Sequence, residues 1–204
     1  LNKLNTPEVN IVTVEDPVEF DIDGISQTQI NPIAGITFAS AFRSVLRQDP
    51  DIVMVGEIRD QETAAITCQA AQTGHLVMSS LHTNDASSAV TRLLDLGVDA
   101  FIVADSLLAV IGQRLVRRIC GKCKKPDKLS AHFLEQIPSE YLEEKSYQFF
   151  KGEGCEACRY SGYSNRLGIY EILRISPSLQ ALITKDISVM RIRREAAKEG
   201  LRPL

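Results

Sequence analysis

Apolar residues fall along this chain in short blocks of two kinds. Three blocks are short runs dominated by apolar residues, the first of them β-branched: Asn10–Val14 (NIVTV), Ile52–Val55 (IVMV) and Leu76–Leu81 (LVMSSL). Each reads as a strand, and the first as a buried one. Between them the apolar residues recur at helical spacing. Thr37 opens one helix, with Phe38, Ala41, Phe42, Val45 and Leu46 on one face, and Pro50 ends it. Asp60 caps a second, terminated by Gly74, and Asn84 or Asp85 caps a third that carries Ala86, Ala89, Val90, Leu93 and Leu94 up to Gly97. The run from Asp99 to about Ile119 reads as a further helix, apolar nearly all round and then basic. Val18–Pro32 reads as irregular, with a hairpin or loop at Phe20–Gly24. Gly162–Pro177 looks strand-like, and Ser178–Gly200 helical and basic. Strands alternating with helices predict a parallel α/β sheet.

Composition narrows the class. The 204 residues are 44% hydrophobic and 24% charged, with a formal net charge of −3. That balance excludes an acidic disordered chain and argues against a strongly basic nucleic-acid binder. No leader pattern opens the sequence, and the most apolar stretch, Ala100–Val116, is broken by Asp105, Gln113 and Arg114, short of the ~20 residues that span a bilayer. The chain reads as cytoplasmic, where cysteines serve as thiols or metal ligands more than as disulfides.

Five cysteines cannot all pair. Four of them form two C-x-x-C pairs, Cys120/Cys123 and Cys155/Cys158, separated by residues 124–154. Each pair presents two thiolates from a tight turn, and two pairs make the tetrahedral S₄ set of structural zinc. Neighbouring Lys122, Lys124, Lys125 and Arg159 offset the charge of such a centre. A redox dithiol or four unrelated thiols are the simpler alternatives. Cys68 reads as a small core residue.

Chemically able side chains follow the strands. Glu15, Asp16 and Glu19 follow the first, Glu57 and Asp60 the second, and His82 the third. In open parallel sheets ligands bind at that edge, and a carboxylate after an apolar strand is where phosphate-transfer sites hold Mg²⁺ or orient water. Ile52–Glu57 fits a Walker B strand. The bland alternative is that strand ends are polar because they meet water. The phosphate-binding pattern G-x-x-x-x-G-K-[ST] occurs nowhere in these residues.

Three long stretches resemble one family. Thr13–Glu19 (TVEDPVE) looks like the aspartate box of the ATPases that power type II secretion and type IV pilus assembly. Leu46–Asp60 resembles their Walker B region, and Thr73–Asp85 their histidine box. The cysteine pairs match the tetracysteine zinc element of the assembly branch, and Asn165–Leu173 the segment that follows it. The resemblance implies a RecA-like, mostly parallel sheet flanked by helices, with a small Cys₄ zinc subdomain and a C-terminal helical region. The expected division is 1–119 for the partial ATPase core, 120–158 for the zinc subdomain and 159–204 for the C-terminal strand and helices.

By the same resemblance Glu15 is the general base, with Asp16 beside it, and Glu57 acts through Mg²⁺ or its water shell. His75 and His82 are the two box histidines, His82 nearer the γ-phosphate. Arg59 is structural, and helix packing and capping are the alternative readings for Arg59, Asp60 and His75. The implied cofactors are ATP with Mg²⁺, and Zn²⁺. The implied partners are further copies of the chain in a homo-hexamer and inner-membrane platform proteins, with association at the cytoplasmic face of the membrane through them. The family's phosphate loop lies upstream of the aspartate box, so the chain reads as a motor-domain fragment, inactive alone. Two other functions compete. One is a zinc-stabilised interaction module, docking through Phe133, Tyr141, Tyr147, Phe149 and Phe150. The other is DNA binding through Arg114, Arg117, Arg118, Lys122, Lys124 and Lys125, for which helix-dipole and zinc-charge compensation are the preferred explanations. A DNA-uptake ATPase is a lesser variant of the motor.

Overall fold

The computed structural model describes residues 1–137 and 148–204. The chain divides into two compact units, residues 1–112 with 171–204, and residues 113–170.

The first unit is built on a four-stranded parallel sheet. Its strands are β1 (Ile11–Glu15), β2 (Ser26–Gln29), β3 (Ile52–Val55) and β4 (Leu76–Ser79), in the order β2-β1-β3-β4. Val14 lies opposite Val55 and Thr28, and Val55 opposite Ser79. Ile11, Val12, Thr13 and Val14 are all buried, as expected of an inner parallel strand covered on both faces.

Helices α1 (Phe38–Val45), α2 (Gln61–Gln72) and α3 (Ala86–Asp95) connect and cover the sheet, giving the predicted α/β class. Each starts on the residue the sequence offers as a cap. The side chains of Thr37, Asp60 and Asp85 accept from the backbone N–H of Ser40, Thr63 and Ser88, respectively. Phe38, Phe42 and Val45 of α1 pack on Val12, Val14, Val53 and Val55. A second cluster joins Ala64 and Cys68 of α2 and Val90 and Leu93 of α3 to the C-terminal helices α6 (Pro177–Leu182) and α7 (Val189–Lys198), through Leu179, Ile192 and Ala196. Cys68 is the small core residue its isolation suggested.

Two expectations need correction. The run from Asp99 to Ile119 is not one helix. Helix α4 stops at Ala100–Ser106, and Ala109–Ile119 is strand β5, paired with β8 (Tyr163–Arg174). Val110, Ile111, Val116 and Ile119 are β-branched and favour a strand. The distant β8 decides it. Gly112 supports that reading, because a Cβ there would sit 2.8 Å from the Glu171 side chain. The second correction is β2, which lies inside the segment 18–32 read as irregular. Its residues, Ser26-Gln-Thr-Gln29, carry no apolar signal, and its place beside β1 is a tertiary effect.

The second unit carries the four paired cysteines and the antiparallel strands β6 (Lys124–Asp127) and β7 (Phe149–Gly152), with Pro126 opposite Phe150. The short helix α5 (Ala131–Glu135) lies between them in sequence.

Candidate functional site

The parallel order of β1, β3 and β4 brings their C-terminal ends to one edge of the sheet. Glu15 is the last residue of β1, Glu57 stands two residues past β3, and His82 three past β4. Gly56 makes the close approach possible. Its N–H donates to the Val14 carbonyl at 2.8 Å, and a Cβ on it would meet that oxygen at 3.3 Å and the Glu15 Cα at 3.5 Å. A side chain at this position would be tightly packed where β3 leaves the sheet beside Glu15. The β4 end is tied to the same place, since the Ser80 hydroxyl donates to the Gly56 carbonyl at 2.7 Å and the Ile58 N–H to the Ser80 carbonyl at 3.0 Å.

On this frame the side chains form two small networks. Glu15 Oε1 accepts from the Thr13 hydroxyl at 2.5 Å and from Gln27 Nε2 at 2.9 Å. Gln27 lies on β2, so the unpredicted strand holds the carboxylate the sequence singles out. Glu57, only 12% exposed, pairs with the Arg59 guanidinium at 2.5 Å and with His82 Nε2 at 3.2 Å. The hydrogen bond from Arg59 does most to hold the Glu57 carboxyl below its ordinary value; partial burial opposes it, and the charges of Arg59 and His82 help. His82 is 84% exposed and points its free ring face to solvent. Asp16, also exposed, adds to the field that stabilises the Arg59 cation.

His75 stands elsewhere. It precedes β4, at the opposite end of that strand from His82, with Nδ1 within 3.0 Å of the Ala70 carbonyl and 3.1 Å of the Thr73 hydroxyl. These contacts bind the end of α2 to the start of β4. Asp60 accepts from the Thr63 N–H at 2.8 Å, an N-cap geometry.

In the second unit the four cysteine sulfurs lie within 4.8 Å of one another, and could hold a metal ion. The Sγ separations are 4.0 Å for Cys120–Cys155, 3.9 Å for Cys123–Cys158 and 3.8 Å for Cys155–Cys158. A disulfide would require about 2 Å. Four sulfurs around a tetrahedral centre at about 2.3 Å stand about 3.8 Å apart, so the spacing fits the zinc geometry. Both C-x-x-C turns are held by backbone bonds, Cys123 N–H to the Cys120 carbonyl at 3.3 Å and Cys158 N–H to the Cys155 carbonyl at 3.1 Å. The left-handed backbone of Arg159 and Tyr160 closes the second turn. The Cys155 N–H holds the Cys158 thiol down to about 6. The Lys122 N–H lowers Cys120, and burial pushes Cys123 up to about 11. Thiolate is the form that ligates a metal.

Several of the basic residues around this cluster have partners of their own. Lys125 pairs with Glu153 at 2.6 Å, Lys124 lies 3.7 Å from the Phe150 ring centroid, and Arg117 lies 4.1 Å over Tyr163. Phe133 is exposed and Phe149 and Phe150 are half-buried, while Tyr141 and Tyr147 lie outside the described residues.

The family model described as Type II/IV secretion system protein matches residues 1–204. The chain belongs to this family. Among relatives in the secretion family, a type IV pilus assembly ATPase PilB from Acinetobacter baylyi is 48% identical over 100% of this chain and 35% of its own length. A type II secretion system ATPase E from Vibrio cholerae is 52% identical over 91% of the chain and 37% of its own. The chain thus spans about a third of the length of these relatives. The fold is shared with the pilus retraction motor PilT bound to ADP, at a TM-score of 0.62 and 24% identity over 98% of this chain and 52% of that one. It is shared too with the ATPase DotB of Legionella pneumophila, at 0.63 and 20% over 97% and 46%.

Sequence reasoning missed Gln27, Glu171 and Arg193. Gln27 lies in a polar segment with no periodic signal. Glu171 is buried within a strand whose sequence looks half exposed, and it accepts from the backbone N–H groups of Ala86 and Leu204. A carboxylate flanked by Tyr170 and Ile172 in a strand is the one signal that could have found it.

Proposed function

We propose that this chain is the catalytic portion of an ATP-hydrolysing motor that serves type II secretion or type IV pilus assembly, working in the full-length protein as a hexamer at the cytoplasmic face of the inner membrane. The observation that carries this reading is the meeting of Glu15, Glu57 and His82 at the ends of three adjacent parallel strands. The relatives' names support the choice of reaction.

In this mechanism Glu15 accepts a proton from the attacking water. Its anchorage by Thr13 and Gln27 fixes one oxygen and leaves the other to orient that water. Glu57, ionised and almost covered, would hold Mg²⁺ through its oxygens or through water, with Asp16 as a second acidic neighbour. Bound there, Mg²⁺ would neutralise developing phosphate charge. His82, oriented by its Nε2 contact with Glu57, would lie on the γ-phosphate side of the site. His75 supports nucleotide contact through the register of β4. The four cysteines would hold a structural Zn²⁺, which closes the second unit and leaves no open coordination position for chemistry.

The test is turnover by the full-length protein. Mg²⁺-dependent hydrolysis is expected, and Glu15→Gln should lower kcat by about 100-fold or more with the fold intact by circular dichroism. Normal turnover by Glu15→Gln would remove Glu15 from the role. A second reading, a docking role for the cysteine-bearing unit, is favoured by the exposed Phe133. Loss of pilus or secretion assembly with retained hydrolysis, after deletion of 124–154, would establish it alongside the motor.

A further inference from the structure

His82 sits on an exposed turn, yet its partner Glu57 is almost covered, so something must hold the turn in place. The bonds from Ser80 and Ile58 fix its beginning. Its end runs into α3 through Thr83, whose N–H donates to the Leu81 carbonyl at 3.0 Å and whose hydroxyl donates to the Asp85 carbonyl at 3.1 Å. Asp85 is the cap of α3, and its carboxylate has two sets of partners. Oδ1 and Oδ2 accept from Ser88, and Oδ2 also accepts from the Arg193 guanidinium at 2.6 Å. Arg193 lies on α7, more than a hundred residues on, and α7 packs on α3 through the buried Ile192 and Ala196. The next N–H, that of Ala86, donates to the buried carboxylate of Glu171. The first turn of α3 is therefore gripped by two acidic groups. One of them takes its orientation from the C-terminal helix.

We propose that Arg193 is a positioning residue for His82: through Asp85 it fixes the first turn of α3, and with it the Leu81–Asn84 turn that carries the imidazole to Glu57. A capping aspartate needs no arginine, since asparagine and serine cap as well. The ion pair adds a directional tie between two helices, and α7 becomes a lever on the catalytic edge. A shift of α7 relative to α3 would move His82 with no contact between α7 and nucleotide. The proposal rests on the ATPase reading for its effect on rate, but the mechanical coupling can be measured without turnover.

The experiment uses the full-length protein with Arg193→Ala, Arg193→Lys and Asp85→Asn. Hydrogen exchange is expected to quicken at the Thr83–Ala86 amides in Arg193→Ala and Asp85→Asn, with β3 amides unchanged, and to return toward the wild-type rate in Arg193→Lys. In ATP hydrolysis Arg193→Ala and Asp85→Asn should lose about ten- to a hundredfold in kcat with KM for ATP little altered, because a small misplacement of a group near the reaction is costly. Asp85→Asn keeps the cap, so it serves if Arg193→Ala folds poorly. Unchanged exchange at Thr83–Ala86 overturns the proposal, as does equal quickening at β3, which would mark a general loss of fold. A wild-type protein that fails to hydrolyse ATP refutes the ATPase reading, while the exchange result still decides the coupling.

Discussion

Glu57 shows how the same carboxylate is both restrained and prepared. Its pairing with Arg59 and His82 lowers its pKa below the ordinary 4.5, so it stays ionised at any neutral pH. Removing Arg59 should therefore do more than delete a charge. Arg59→Ala should leave Glu57 held by His82 alone and weaken the dependence of turnover on Mg²⁺ concentration, read as a changed half-saturating Mg²⁺ level in the full-length protein. Asp85 offers a measurement on stability. Partial burial would raise its pKa, but the Ser88 N–H, the Ser88 hydroxyl and Arg193 outweigh it and hold the carboxyl below 3.8. A depressed folded-state value means that the unfolded chain takes up the proton first. The stability Asp85 contributes is present above 3.8 and disappears as pH falls through the lower folded value. Urea denaturation at about pH 6 and about pH 3 should show that loss, and Asp85→Asn should flatten part of it.

Elements differ in how well the sequence announces them. Strands β1 and β3 are apolar and β-branched, β4 is mostly apolar, and helices α1 to α3 start on capping side chains. Those signals are local, and so is the placing of Glu15, Glu57 and His82 at strand ends. Strand β2 and the pairing of β5 with β8 are not local. Ser26–Gln29 becomes a strand because β1 offers it a ladder, and Ala109–Ile119 because β8 arrives some fifty residues later. Gln27 and Glu171 were hidden for the same reason, since each owes its contact to an element brought in from afar. Substitutions at the sites of these long-range contacts test this view. Gly112→Val should displace Glu171 from the α3 turn and lower the melting temperature, because the added carbon meets the Glu171 side chain at 2.8 Å. Phe42→Ala, which empties a fully buried site under β1 and β3, should cost about 3–5 kcal/mol in chemical denaturation.

At the scale of the molecule, chemistry is divided between two units. The parallel sheet carries the acidic and imidazole groups, and the smaller unit carries the sulfur cluster. Among the described residues no helix is long and apolar enough to cross a membrane. Metal analysis of purified protein should find about one zinc per chain, and a chelator or Cys155→Ser should melt the smaller unit while the α/β sheet keeps its helical signal. Absence of tightly held metal would instead favour the plain dithiol alternative. The sulfur geometry also bears on length. Cys120 and Cys123 meet Cys155 and Cys158 across residues 124–154, and β6 and β7 run antiparallel just inside the two pairs. The excursion is therefore pinned at its root. For a loop closed in this way, each doubling of its length adds only about 0.6 kcal/mol of closure entropy. Insertions or deletions between β6 and β7 should be nearly silent for folding, read as an unchanged midpoint in chemical denaturation.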